Sequence, residues 1–308
     1  MTPSQQDILL YGLEKIKHET LTLFGSCEAD SGLVGSIIKD NAITEKTLKC
    51  PYRAQIYNPT LKENIIVPCG RCFNCQVKKA LALSTRIRLD STSYPNLFFV
   101  TLTYSNHNIE PIDPSYLARF FKNLRYDVPK FKYLASGEYG PQTIRPHYHI
   151  LFLLPYETSF ADFKEALSTR WPYGNIDIQP SDALTTSYIC SYVKKGFNTT
   201  DCFTVRSLRP ALGHSAPKDY LQLLLDQCIS NQSYFISSNA GHPMILNADL
   251  FVKTLKIDKD LLSEYIPPVY ETDLASDEEK RLYINSLYSA LNTASKTEFN
   301  EIEQILHA

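Results

Sequence analysis

The chain has 308 residues of which 44% are hydrophobic, enough for one large core or two modest ones, so a disordered chain is excluded. No run approaches the roughly 18 consecutive apolar residues of a membrane span, and the first ten residues lack a basic flank before an apolar block. The expectation is a soluble, intracellular protein without membrane partners, whose eight cysteines suit metal better than disulfides. The net charge of -2 is an average of unlike regions. Residues 1–239 hold 25 basic and 21 acidic groups (25 − 21 = +4), and residues 240–308 hold 6 and 12 (6 − 12 = −6). The middle of the chain is therefore free to bind phosphate, and the acidic C-terminal region can stand as an appendage.

In chain order, residues 1–49 form an N-terminal extension with a helix expected over Gln5–Leu23. Residues 50–90 combine a cysteine-rich segment with a basic amphipathic helix, Gln76–Asp90, in which Val77, Ala80, Leu83 and Ile87 recur at helical spacing. Residues 91–213 carry the clearest pattern. Leu97–Tyr104 reads as a buried strand, Pro114 opens a helix capped by Asp113, and Phe131–Ser136 is a strand closed by a turn at Gly137–Gly140. Arg145–Leu154 is a strand, Phe160–Arg170 a helix, Gly174–Gln179 a strand, and Ser181 is expected to cap a helix through Lys195. The order β-α-β-β-α-β-α fits an α+β class: a ferredoxin-like split β-α-β layer with helices on one face and the other face free for a site. Residues 214–308 are acidic and mostly helical, with helices expected over Pro217–Ile229 and Ala275–Leu291 and a linker at Pro267-Pro268.

Three constellations carry chemistry. His147-Tyr-His149 lies within one strand, where side chains two apart share a face, so two imidazoles can grip one ion and Glu138 of the neighbouring strand can supply a carboxylate. Such a set with open positions suits Mg²⁺ or Mn²⁺ acting on phosphate, with zinc as an alternative. Tyr188, Tyr192 and Lys195 fall within about 60° on one helical face, which places two phenol nucleophiles beside a cation, while Lys194 points elsewhere. Cys50, Cys69, Cys72 and Cys75, spaced C-x18-C-x2-C-x2-C, match a structural zinc site, with an iron–sulfur cluster as competitor. Pro68 and Gly70 suit the tight turn of such a knuckle. Lys78, Lys79, Arg86, Arg88, Lys194, Arg206 and Arg209 are weaker candidates for contacts to DNA. Taken singly, each motif has a plainer reading: exposed strand histidines, packing tyrosines, unliganded thiols. Cys27, Cys190, Cys202, Cys228, His107, His214 and His242 show no ligand spacing and read as core or surface residues.

The strings Val67–Cys75, Val100–Tyr104, Gly137–Gly140, Arg145–His149, Tyr188–Lys195 and Ser207–Pro210 together resemble the replication initiators of microviruses, small phages with circular single-stranded DNA, especially the gokushovirus branch. The resemblance spans Cys50–Gly213. It implies an HUH endonuclease that starts rolling-circle replication by nicking one strand, in the host bacterial cytoplasm. It further implies that His147 and His149 hold the catalytic metal with Glu138, that Tyr188 and Tyr192 are nucleophiles and that Lys195 helps electrostatically. The expected partners are single-stranded DNA at the origin and a host helicase and DNA polymerase. The chain departs from the family pattern at Ser191, where a lysine is usual, and at Ala211, where a glycine is. Two rivals stand beside this reading: a relaxase or transposase of a mobile element, and a non-catalytic zinc module that binds single-stranded nucleic acid.

Overall fold

The computed structural model describes residues 49–59, 62–140, 145–181, 202–237, 243–266 and 274–293. The helix expected over Gln5–Leu23, the linker at Pro267-Pro268, and the helix expected to carry Tyr188, Tyr192, Lys194 and Lys195 lie outside the described residues.

Strands β1 (Ala54–Asn58) and β2 (Glu63–Val67) form an antiparallel hairpin ahead of helix α1 (Phe73–Ser91). Then come β3 (Asn96–Tyr104), α2 (Pro114–Leu124), β4 (Lys132–Tyr139), β5 (Pro146–Leu154), α3 (Phe160–Arg170), β6 (Gly174–Ser181) and β7 (Phe203–Arg206). The expected boundaries hold closely, and for the expected reason in α2: the Asp113 carboxylate accepts from Ser115 N at 2.7 Å, with Pro114 opening the first turn. Two differ. Ser181 ends β6 rather than capping a helix there, and β4 runs through Tyr139 instead of turning at Gly137. Strand β4 continues because it has a neighbour on each side, β5 and β7, to absorb its backbone hydrogen bonds. Gly137 fits because a Cβ there would lie 2.6 Å from Cε1 of Phe203 on β7.

The five strands lie in the order β6-β3-β5-β4-β7, every neighbouring pair antiparallel. Strand β5 thus sits between β3 and β4, a split β-α-β arrangement within an α+β fold. Side-chain alternation sends Val100, Leu102, Ile150 and Phe152 to one face, where α2 and α3 bury Leu117, Phe121, Phe163 and Leu167 against them. Each such fully buried side chain contributes about 1.5–3 kcal/mol. The opposite face, expected to be free, is partly covered: α1 packs Leu83 and Ile87 on Leu97, Phe99, Leu134, Leu151 and Leu153 there.

Behind α1 lies a second core, built by α4 (Lys218–Asn231), the β8 (Phe235–Ser237) and β9 (Pro243–Ile245) hairpin, α5 (Ala248–Leu255) and α6 (Lys259–Tyr265). Leu89 of α1 belongs to that core, and Ile245 N donates to Thr85 Oγ1 at 3.0 Å. Helix α7 (Asp277–Thr293) reaches the cysteine segment: Phe73 N donates to the Tyr283 hydroxyl at 3.1 Å, and Arg53 pairs with Glu279 at 2.8 Å. The acidic region is therefore bonded into the molecule through α1 and the cysteine segment.

At the end of α1 a buried ion pair joins the layers. Lys132 Nζ lies 2.7 Å from Asp90 Oδ2 and also donates to the Ala211 carbonyl at 3.0 Å. The Asp90 carboxylate accepts from Gly213 N at 2.7 Å and Ser215 N at 2.9 Å. Burial holds the Lys132 amine below its ordinary value against the pull of Asp90.

Candidate metal centre

Antiparallel register brings the three expected ligands together. His147 on β5 is directly opposite Glu138 on β4 and Thr103 on β3; His149 is opposite Ser136 and Thr101. Opposed residues share a face, so all of these side chains stand on the face that α1 covers further along. Their ligand atoms lie within 4.8 Å of one another.

The hydrogen bonds fix how the rings present their nitrogens. His147 Nδ1 lies 3.1 Å from the Arg145 carbonyl oxygen, which can only accept, so Nδ1 carries the proton. A neutral His147 then turns the bare Nε2 lone pair to Glu138 Oε1 at 3.1 Å, and His149 Nε2 approaches the same oxygen at 3.3 Å. His149 is oriented by Thr101 Oγ1, 3.2 Å from its Nδ1, and by the Phe99 ring stacked on it at 5.5 Å. A nitrogen lone pair facing a carboxylate oxygen is repulsive unless a proton or metal cation lies between them. Two imidazoles and a carboxylate converging this way, with Glu138 and His149 buried, fit a divalent cation that keeps open positions. Neither Thr101 nor Phe99 is singled out by the sequence as supporting this centre, because their role depends on β3 pairing with β5. Tyr148, between the histidines in sequence, faces the other way: it is fully buried near Tyr104, and burial holds its phenol above the ordinary range. It is not a nucleophile.

Cys50, Cys69, Cys72 and Cys75 form a second potential metal-binding group. Cys69 Sγ is 4.0 Å from Cys75 Sγ, and Cys72 Sγ is 3.8 Å from Cys50 Sγ. These separations are far too long for disulfides and match the spacing of about 3.8 Å expected of thiolates on a tetrahedral zinc with bonds of about 2.3 Å. Arg71 N and Cys72 N donate to Cys69 Sγ at 3.4 and 3.3 Å, and Cys69 N to Cys50 Sγ at 3.3 Å. Such bonds stabilise negative sulfur. Contacts from Cys72 and Cys75 hold the Cys50 thiol far below its ordinary value, while the reciprocal contact raises Cys72. Gly70 supplies the left-handed turn of the knuckle at φ +73°.

The basic candidates separate. Lys78 and Lys79 are half-buried, and Lys79 Nζ donates to the Gly70 carbonyl at 3.0 Å. Arg86, whose Nη1 reaches the Leu212 carbonyl at 3.4 Å, and Arg88 both have their ionisation weakened by burial. Helix α1 is thus enclosed between two cores rather than offered as a basic surface. Arg206 and Arg209 are exposed beside the sheet edge.

Residues 97–197 match a family model of replication-associated proteins, the one described by the name ORF2. The chain is 27% identical over 224 residues to replication-associated protein ORF2 of Spiroplasma virus 4, covering 64% of this chain and 66% of that protein. It is 25% identical over 163 residues to replication-associated protein ORF4 of Chlamydia phage 1 (46% of this chain, 41% of that one). It is 26% identical over 150 residues to replication-associated protein VP4 of Bdellovibrio phage phiMH2K (42% and 48%). The chain therefore spans about two thirds of the first relative's length and under half of the other two. No solved structure matches. Among the described residues no helix is long and apolar enough to cross a membrane. On these matches the chain takes its place among relatives of the replication-associated proteins of microviruses, the group its motifs resemble.

Proposed function

We propose that the protein is a rolling-circle replication initiator of the HUH endonuclease class, which nicks and rejoins single-stranded DNA at the phage origin in the host cytoplasm. The observation that carries this reading is the convergence of His147 and His149 on one oxygen of Glu138, on an open-ended strand face. In this reading residues 91–213 are the endonuclease domain, residues 50–90 a zinc-bearing support, and residues 214–308 a region docked behind them. A bound Mg²⁺ or Mn²⁺ would act there as a Lewis acid on the scissile phosphate. Tyr188 or Tyr192 attacks the phosphorus; the phenol gives up its proton, the P–O3′ bond breaks, and the leaving 3′ oxygen gains a proton. A 5′-phosphotyrosine and a free 3′-OH result, and Lys195 offsets charge on the phosphate. The second tyrosine repeats the cut on the regenerated origin. The new 3′-OH then attacks the first phosphotyrosine, releasing that phenol and closing the circle. Host helicase and DNA polymerase extend the 3′-OH.

The test is a covalent adduct between the protein and an origin oligonucleotide, resolved by denaturing electrophoresis with and without Mn²⁺. Single changes Tyr188→Phe and Tyr192→Phe each retain adduct through the other phenol, and the double change removes it. An adduct surviving the double change would refute the assignment.

The cysteine group is read as structural zinc. Cys72→Ser is expected to lower metal content by up to one zinc per chain and to cost several kcal/mol of stability, since zinc-binding energy in such sites is folding energy. Mass spectrometry of the native protein and its thermal melt read both. Full zinc content in Cys72→Ser, or iron in the wild type, would overturn the reading.

A further inference from the structure

Where β4 begins, a cleft of about 340 Å³ opens beside the sheet edge, lined among others by Arg125, Phe131, Tyr133, Ser207, Leu208 and Arg209. Lys132 also lines it, but Asp90 neutralises that amine. Arg125 and Arg209 have no such partner: among the described residues no carboxylate makes an ion pair with either. Arg125 is fixed by one bond to the Phe121 carbonyl at 3.2 Å and lies 4.2 Å from the Phe131 ring centroid, which leaves its remaining N–H groups for a ligand. Two uncompensated guanidiniums in one concavity favour an anion between them.

The remaining lining narrows the anion. Ser207 is 7% exposed, and its hydroxyl oxygen accepts from Tyr133 N at 3.0 Å, so its own proton is available to an acceptor in the cleft. Leu208 is 71% exposed beside the arginines, an apolar side chain on which a planar base can rest. Arg206, paired in register with Leu134, extends the positive edge along β7. Tyr133 and Glu138 are five positions apart on one strand, roughly 17 Å, which a few nucleotides of extended single strand can cover.

We propose that this cleft is a single-stranded DNA subsite: Arg125, Arg209 and Ser207 take a backbone phosphate and Leu208 takes a base, a few nucleotides from the bond cut at the metal centre. It rests on the endonuclease reading for its substrate. The contact is sequence-independent, as phosphate recognition is, and fixes where the strand lies across the sheet.

The experiment is fluorescence anisotropy of a labelled oligothymidylate without added divalent cation, across a salt series. Arg125→Gln combined with Arg209→Gln is expected to raise Kd roughly tenfold and to lower the salt slope by about 1.4, some 0.7 for each lost phosphate contact to a single strand. The pair of Lys substitutions keeps most of the affinity. Both arginines are exposed, so an unchanged melt identifies a folded variant. A Kd within twofold of wild type, or equal competition by duplex DNA, overturns the proposal. The adduct assay at saturating DNA separates the two claims. Adduct with an unchanged Kd sinks the cleft alone. A raised Kd with no wild-type adduct retains the cleft and sinks the endonuclease.

Discussion

His147→Ala is expected to abolish Mn²⁺-dependent adduct formation on an origin oligonucleotide, a loss of roughly 100-fold or more, while leaving single-strand affinity within about threefold. The expectation follows from where the ring is held. Its Nδ1–H is committed to the Arg145 carbonyl, so Nε2 is the atom offered to a cation, and it meets the same Glu138 oxygen that His149 approaches. Removing it leaves two ligand groups where three now converge. His149→Ala is expected to match it. Thr101→Val is expected to cost less, about tenfold, because it removes only the hydroxyl that orients His149 Nδ1. Binding survives in all three because none of them removes a phosphate-binding cation. Wild-type rates of adduct formation in His147→Ala would show that the strand histidines have no part in the chemistry. A melting midpoint beside each assay separates loss of chemistry from loss of fold.

The second large effect concerns stability. Asp90→Ala removes the counter-charge of a buried lysine and, at once, the acceptor of Gly213 N and Ser215 N. Breaking one side of a buried ion pair costs about 3–5 kcal/mol, against a total stability of about 5–15 kcal/mol for a typical protein. Lys132→Met is expected to cost less, because Asp90 keeps both backbone donors while losing the amine. Asp90→Ala with Lys132→Met should be milder than Asp90→Ala alone, since no uncompensated charge stays buried. Urea denaturation followed by circular dichroism measures all three. If Asp90→Ala lies within about 1 kcal/mol of wild type, the pair is not what ties α1 to β4. The link matters beyond stability, because β4 carries Lys132 at one end and Glu138 near the other.

Local signals in the sequence were sufficient for most elements. The apolar and β-branched run at Leu97–Tyr104, the Asp113-Pro114 start of α2 and the stripe of Phe160–Arg170 each state their structure within one segment, and the boundaries agree to within a residue or two. His147 and His149 were legible as a chelating pair because the period of a strand is two. The cysteine spacing announced its cluster for the same kind of reason, with Gly70 marking the turn. Gly137 misled: read as a turn residue, it sits mid-strand, because the need for a missing Cβ came from Phe203, more than sixty positions away.

What the sequence by itself determined about this protein, then, is its inventory of strands, helices and ligand-type side chains, since these follow from periodicities of about 2 and 3.6 and from short spacings. Only the tertiary structure decided which of them meet. The pairing of β5 with β4 put Glu138 opposite His147, and the pairing with β3 put Thr101 against His149. The burial of α1 between two cores turned Arg86 and Arg88 from a surface into internal groups, and the edge beside β4 gathered Arg125 with Arg209. Those contacts join residues far apart in the chain, and no local pattern encodes them: they arise from the burial of apolar surface, which has no memory of sequence distance.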